Sequence, residues 1–304
     1  SRKGRLHVAA VRTDDTRPWA PSSYDLPSLR RRIDSRMTID GENRLLAHLA
    51  GCATRYSCPT AQNIFHRRWE GGLPSSPACN ARCVGCISWQ PDGSCPSPHE
   101  RLSFVPTVEE IVSVAVPHLS AGATTVVSFG QGCEGEPLLQ GDLLREAIAR
   151  TRRQVTGGVI NVNTNGSKTE VVRELRAAGL DAIRVTLFSA ERERYEAYHQ
   201  PRDYSYDDVV RTLRLAREDG CFTSINLLVF PGRTDATDEV EALIALLRDT
   251  GVHMVQMRNL NIDPELLDGS VPPAEGRPIG IATMMRTLKA ALPSLRIGSY
   301  TPRD

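Results

Sequence analysis

Three cysteines, Cys79, Cys83 and Cys86, stand at Cys-x3-Cys-x2-Cys spacing in the stretch Ser75-Ser76-Pro77-Ala78-Cys79-Asn80-Ala81-Arg82-Cys83-Val84-Gly85-Cys86, which reads as one tight loop. Thiolates placed so closely can hold a soft metal, and the spacing alone does not choose among zinc, copper(I) and an iron-sulfur cluster. Four protein ligands would close the coordination shell, whereas three leave one position free for a small molecule. That open position points to catalysis.

A second polar constellation lies downstream, in Phe129-Gly130-Gln131-Gly132-Cys133-Glu134-Gly135-Glu136-Pro137-Leu138-Leu139-Gln140. Glycines let a ligand approach the backbone, and Glu136 offers a carboxylate suited to an ammonium group. The next strand-like segment runs into Asn163-Thr164-Asn165-Gly166, again polar side chains on a turn.

These groups need a scaffold, and from residue 73 onward strand-like and helix-like segments alternate in the order of parallel β/α units. Strands are expected at 124–129, 159–163, 182–188, 222–229 and 252–257, after a short first strand leading into the cysteine loop. Helices are expected from the Thr107 cap and over 142–154, 168–178, 206–219, 237–247 and 281–292, with a further strand at 296–300. The fold class is therefore α/β, a partial (β/α)6 TIM-like barrel over residues 71–304, preceded by an N-terminal extension over 1–70. Within the extension we expect a strand at 6–11 and helices at 41–49 and 60–69, with Cys52 and Cys58 between the two helices.

Several strands carry a polar alternating face, unlike a parallel sheet buried on both sides. Asn161, Asn163 and Asn165, then Arg184 and Thr186, Ser224 and Asn226, Gln256 and Arg258 would line a lumen that is polar where the strands finish. They can orient a substrate, or they can simply satisfy one another in a buried network.

On Cys79, Cys83 and Cys86, the Glu134–Gln140 stretch and Thr164-Asn165-Gly166, in this order and spacing, the chain resembles the radical S-adenosylmethionine (SAM) enzymes across residues 73–260. The resemblance implies that the three cysteines ligate three irons of a 4Fe-4S cluster while SAM chelates the fourth. It implies that Glu136 and the backbone at Gly135 hold the methionine amino group. Thr164, Asn165 and Ser189 are then candidates for the ribose and carboxylate, and Val229 to Gly232 for the adenine. One electron from the cluster would cleave SAM to a 5'-deoxyadenosyl radical, which abstracts hydrogen from substrate; a flavodoxin- or ferredoxin-type donor would supply the electron. Gln131, Arg184, Asn226, Gln256 and Arg258 become the substrate candidates, and a peptide is favoured over a small metabolite or RNA. The residue before the last cysteine, commonly aromatic in this family, is Gly85 here, so Trp89 is a candidate for part of the adenine contact beside the Gly85 backbone.

Five cysteines remain outside the triad, of eight in all. Cys52, Cys58, Cys95 and Cys133 are a candidate set for a second 4Fe-4S cluster, whereas Cys221 reads as an ordinary small buried residue. His48, His66, His99, His118, His199 and His253 show no paired metal-ligand spacing. Too few residues precede the barrel for a doubly wound cobalamin domain.

The 304 residues carry a net charge of +1, which excludes a general polyanion binder, although residues 1–70 hold 13 Arg plus Lys against 7 Asp plus Glu. That local excess reads first as a solvated face; an acidic leader peptide or RNA, which it suits equally, is the minority reading. No signal-peptide pattern and no membrane-length apolar run occur, so a cytoplasmic enzyme with no membrane partner is expected. The competing reading is a non-catalytic zinc or redox-cluster module, which explains the cysteines but not Glu136 or Thr164-Asn165-Gly166.

Overall fold

The computed structural model describes residues 20–90, 97, 99–298 and 301. The strand expected at 6–11, and Cys95, lie outside the described residues. Helices α1 (Ser28–Asp40), α2 (Arg44–Arg55) and α3 (Pro59–His66) lead into strand β1 (Glu70–Gly72). Then follow α4 (Val108–Leu119), β2 (Val126–Phe129), α5 (Gly141–Gln154), β3 (Val159–Thr164), α6 (Thr169–Ala178) and β4 (Ala182–Leu187). The chain continues through α7 (Arg192–His199), α8 (Tyr206–Glu218), β5 (Phe222–Val229), α9 (Thr237–Thr250), β6 (Met254–Asn259), α10 (Pro264–Ser270), α11 (Ile281–Ala291) and β7 (Arg296–Gly298).

All seven strands are parallel and follow chain order across the sheet, giving a curled half-barrel. The helices are set by local chemistry. Thr107 and Glu110 form a reciprocal capping box at the start of α4, and Ser205 and Asp208 do the same for α8,. Gly179, at φ +115°, ends α6 in the left-handed conformation that glycine adopts without steric cost,.

Two expectations need correction in the extension. Helix α2 does not stop at residue 49 but runs through Cys52 to Arg55, so His48 and Cys52 lie one turn apart on one face,. Helix α3 ends at His66, where Arg67 turns left-handed at φ 51°, short of the expected residue 69. Helix α1 was not anticipated, because Leu29 and Ile33 are its only buried residues and its arginines mask the apolar stripe. Leu29, Leu45, Leu49 and Phe65 of these helices belong to the same hydrophobic core as Ile111, Phe129, Ile160 and Ile183 of the barrel. Among the described residues no helix is long and apolar enough to cross a membrane.

Candidate active site

The loop after β1 is held by a buried carboxylate. Glu134 accepts hydrogen bonds from the Ser75 and Ser76 amides at 2.7 and 3.0 Å and from the Ser75 hydroxyl at 3.0 Å. From its own loop it accepts the Gly130 and Gln131 amides at 2.6 and 3.0 Å. Burial pushes its pKa up against the pull of these donors,. One side chain thus pins the cysteine loop to the glycine-rich loop after β2. Two backbone bonds continue the join, Gly135 N–H to Ser76 O at 2.7 Å and Glu136 N–H to Ala78 O at 2.8 Å. A methyl group at Gly135 would press into the Ala78 carbonyl and stand 3.1 Å from the Cys79 nitrogen, so a side chain is excluded there by the cysteine loop itself.

Glu136, Thr164 and Asn165 are brought together as expected. The Glu136 carboxylate accepts from the Thr164 hydroxyl at 2.5 Å, the Asn165 amide at 2.8 Å and the Leu138 amide at 3.0 Å. Burial raises its pKa to about 7. Asn165 extends the network to the cysteine loop, donating to the Asn80 side-chain oxygen at 2.8 Å.

Each sulfur has its own surroundings. The Cys83 Sγ lies 3.3 Å from His199 Nδ1, and the Phe188 amide donates to His199 Nε2 at 3.1 Å. That amide fixes Nε2 as the acceptor, so Nδ1 carries the proton and points at the sulfur. Burial lowers the His199 pKa to about 3, which keeps the ring neutral. Cys86 lies 3.6 Å from both the Ser88 hydroxyl and the Arg101 guanidinium. Burial raises the Cys79 thiol to about 11 and the Cys83 thiol further still. Thiols buried in this way ionise when a metal takes the proton's place.

A cavity of about 200 Å³ opens beside the loop, lined by Cys79, Cys86, Trp89, Arg82, Arg101 and Arg202. The donor set fits an anionic cluster with one open site: Cys79 and Cys86 line a space rimmed by guanidinium groups, and Cys83 stands on the same loop between them in sequence,. Where Gly85 lacks an aromatic side chain, Tyr198 takes the space. A methyl at Gly85 would stand 2.7 Å from the Tyr198 hydroxyl, and Tyr198 stacks on Phe188 with ring centroids 4.5 Å apart. Trp89 is 42% exposed, with the Arg82 guanidinium 5.9 Å from its ring centre.

The remaining candidates are placed less simply. The Ser189 hydroxyl donates to both Glu239 oxygens at 2.8 Å, and Arg194 closes that buried network at 2.9 Å. Val229 ends β5 with its carbonyl bound to the Leu260 amide, and Gly232 forms a turn at φ +90° with its amide on Asp235. Arg184 lies in the buried lower lumen, 3.6 Å from Glu70 and bonded to Thr301. Glu70 also accepts from Ser128 at 2.6 Å and Thr301 at 3.0 Å, and Ser128 accepts from Asn161 at 3.1 Å. These residues bond one another, and only the Arg184 Nε is left without a hydrogen-bond partner among the described residues of this network. Gln131 sits at the rim with its side-chain amide 3.5 Å from the Ser128 carbonyl. Higher on the sheet Asn226 pairs in register with Gln256, Arg258 reaches Gln256 at 3.4 Å, and the Asn226 Oδ1 has no partner among the described residues.

Two histidines escaped the sequence reading. His199 meets Cys83 through the fold, 116 positions apart in sequence, and nothing local marks it. His48 and Cys52 carry a local signal, His-x3-Cys, which places both on one helix face once α2 extends past residue 49,.

The sequence profile of the Radical SAM superfamily matches residues 73–255. The chain is 30% identical over 181 residues to a GTP 3',8-cyclase of Ectopseudomonas mendocina, covering 57% of this chain and 49% of that protein. It is also 30% identical over 173 residues to GTP 3',8-cyclase 2 of Pseudomonas aeruginosa, covering 55% of this chain and 46% of the relative. The chain thus spans about half the length of the curated relatives it matches. Among solved structures, methylornithine synthase aligns with a TM-score of 0.51 at 16% identity, covering 88% of this chain and 78% of its own, a likeness of fold.

Proposed function

The chain belongs to the radical SAM superfamily, and from that premise we propose that it cleaves SAM reductively at a 4Fe-4S cluster held by Cys79, Cys83 and Cys86. The observation that carries this reading is the double pin of Glu134 and Glu136, which sets the cysteine loop against Thr164 and Asn165 at the strand ends. When bound, the cluster and SAM supply the electron and the 5'-deoxyadenosyl radical.

The chain's own residues bind, orient and exclude water. Glu136, ionised above about pH 7, offers its carboxylate to the methionine ammonium group, and Thr164 and Asn165 hold that carboxylate in place. Tyr198 and Phe188 wall the loop beside Gly85, and Leu260 and Ile262 complete this apolar side, keeping solvent from the reacting end,. His199 donates its Nδ1 proton to the Cys83 sulfur, and Arg101 stands over Cys86. Ser189, Val229 and Gly232 shape the far rim, with Ser189 acting through Glu239. A flavodoxin- or ferredoxin-type protein is the proposed reductant.

For the substrate, the relatives' names favour a purine nucleoside triphosphate over the peptide that the sequence suggested. The upper lumen suits such a molecule, since the Arg258 guanidinium can meet phosphate,. Arg184 is bound to Glu70 and is not part of this surface. The test is the reconstituted chain with SAM, reductant and ribose-deuterated GTP. Deuterium appearing in 5'-deoxyadenosine supports the nucleotide; SAM cleavage without deuterium transfer removes GTP as substrate and leaves the superfamily chemistry standing.

A further inference from the structure

Outside the three-cysteine loop, a second group of metal-ligating atoms converges where α2 meets the glycine-rich loop. His48, Cys52 and Cys133 each offer one ligand atom, and these atoms all lie within 4.8 Å of one another. His48 Nε2 stands 3.5 Å from Cys52 Sγ, as one face of α2 dictates for residues one turn apart,. Cys133 comes from the loop after β2, brought over α2 by the segment whose Leu102 amide bonds the Cys133 carbonyl at 2.7 Å. Phe104 and His99 of that segment pack edge-on against His48 and Tyr56, closing the site from above.

The geometry points to a mononuclear zinc-class divalent ion bound by His48, Cys52 and Cys133, clamping the N-terminal helices to the loop that carries Glu134 and Glu136. The distances separate this from a cluster. With metal–sulfur and metal–nitrogen bonds of about 2.3 and 2.0 Å, two ligands of one tetrahedral ion stand about 3.5 Å apart, which is the His48–Cys52 separation,. In a 4Fe-4S cluster each protein ligand takes a different iron and the ligand sulfurs spread to about 6 Å, wider than this group. The proposed centre draws Cys52 and Cys133 from the set expected for a second cluster and adds a different ligand, His48. Cys58, whose thiol is 3.4 Å from Thr60, lies outside the converging group, so the fourth position is open to solvent or a small ligand,.

Soft thiolates with one imidazole select zinc over magnesium or calcium.

The test uses the full chain with Cys79, Cys83 and Cys86 all changed to Ala, so that the outcome does not depend on the iron-sulfur reading. Purified anaerobically and titrated with Co2+ as the probe, it should take up one ion per chain and develop the visible d–d bands of a tetrahedral thiolate site, displaced by Zn2+. His48→Gln and Cys133→Ser should each weaken Co2+ binding on the order of a hundredfold. His48 is half-buried, so its variant reads the site even where Cys133→Ser does not fold. Absence of a tetrahedral band, or equal affinity in His48→Gln, overturns the proposal. So does a residual four irons per chain after iron and sulfide reconstitution, which would make the centre a cluster.

Discussion

Gly135→Ala tests whether the cysteine loop and the glycine-rich loop are one unit. The new methyl would press into the Ala78 carbonyl and stand 3.1 Å from the Cys79 nitrogen, both backbone, so no side chain can swing away. The loops would have to part by on the order of an ångström, which costs about 1–3 kcal/mol as overpacking. Parting also weakens Gly135 N–H to Ser76 O and Glu136 N–H to Ala78 O, each worth about 1 kcal/mol,. The sum is about 3–5 kcal/mol, which for a chain of 304 residues lowers Tm by about 6 °C,. Gly51→Ala is the control. It lies inside α2 with nothing within 4 Å of the added carbon, and should raise stability by roughly 0.5–1 kcal/mol,. Calorimetry on the metal-free chains reads both, and iron retention after reconstitution reads the loop. A Gly135→Ala chain that melts with wild type and holds wild-type iron would refute the packing argument.

Three further outcomes are expected. His199→Phe removes the N–H donor to Cys83, and since that bond strengthens as the cluster gains charge, the reduction potential should fall by about 40 mV, taking about 1 kcal/mol at 59 mV per tenfold change,; an EPR-monitored titration reads it, and an unchanged potential counts against the assigned tautomer. Glu136 holds its proton to about pH 7 when folded and to about 4.5 when unfolded, so its contribution to stability is full below about 4.5 and lost as pH rises through about 7,; Glu136→Gln should flatten the wild-type slope of urea-unfolding stability in that window, and an unaltered slope would contradict the burial argument. Arg184→Leu leaves Glu70 buried without its cation and should cost about 3–5 kcal/mol,; a wild-type melting curve with impaired substrate binding would instead restore Arg184 to the substrate surface.

Much of the barrel was legible because each β/α unit carries its own local signals. The 222–229 strand matches β5 residue for residue, and the Thr107 and Gly179 ends fall where capping chemistry puts them. The cysteine loop and the Glu136, Thr164 and Asn165 group were readable from motif order, and the structure joins the latter by hydrogen bonds. What escaped depends on contacts distant in sequence. Helix α7 holds polar residues around a buried Tyr195, Tyr198 and His199, so its 3.6-residue stripe is aromatic and histidine rather than aliphatic. Tyr198 replaces an aromatic that the loop itself lacks, a substitution visible only once Gly85 and α7 meet. The substrate candidates failed to separate in sequence because alternation shows which residues face the lumen but not which are consumed there. Glu70, on the short first strand, is the residue that neutralises Arg184, and its role depends on Thr301 at the far end of the chain.

The most direct test is anaerobic reconstitution with iron and sulfide, followed by dithionite reduction in the presence of SAM and chromatography for 5'-deoxyadenosine. The account predicts about four irons and four sulfides per chain and SAM cleavage, both lost in Cys83→Ala. Zinc in the three-cysteine loop with little iron, or a fully loaded cluster that yields no 5'-deoxyadenosine with or without GTP, would contradict it.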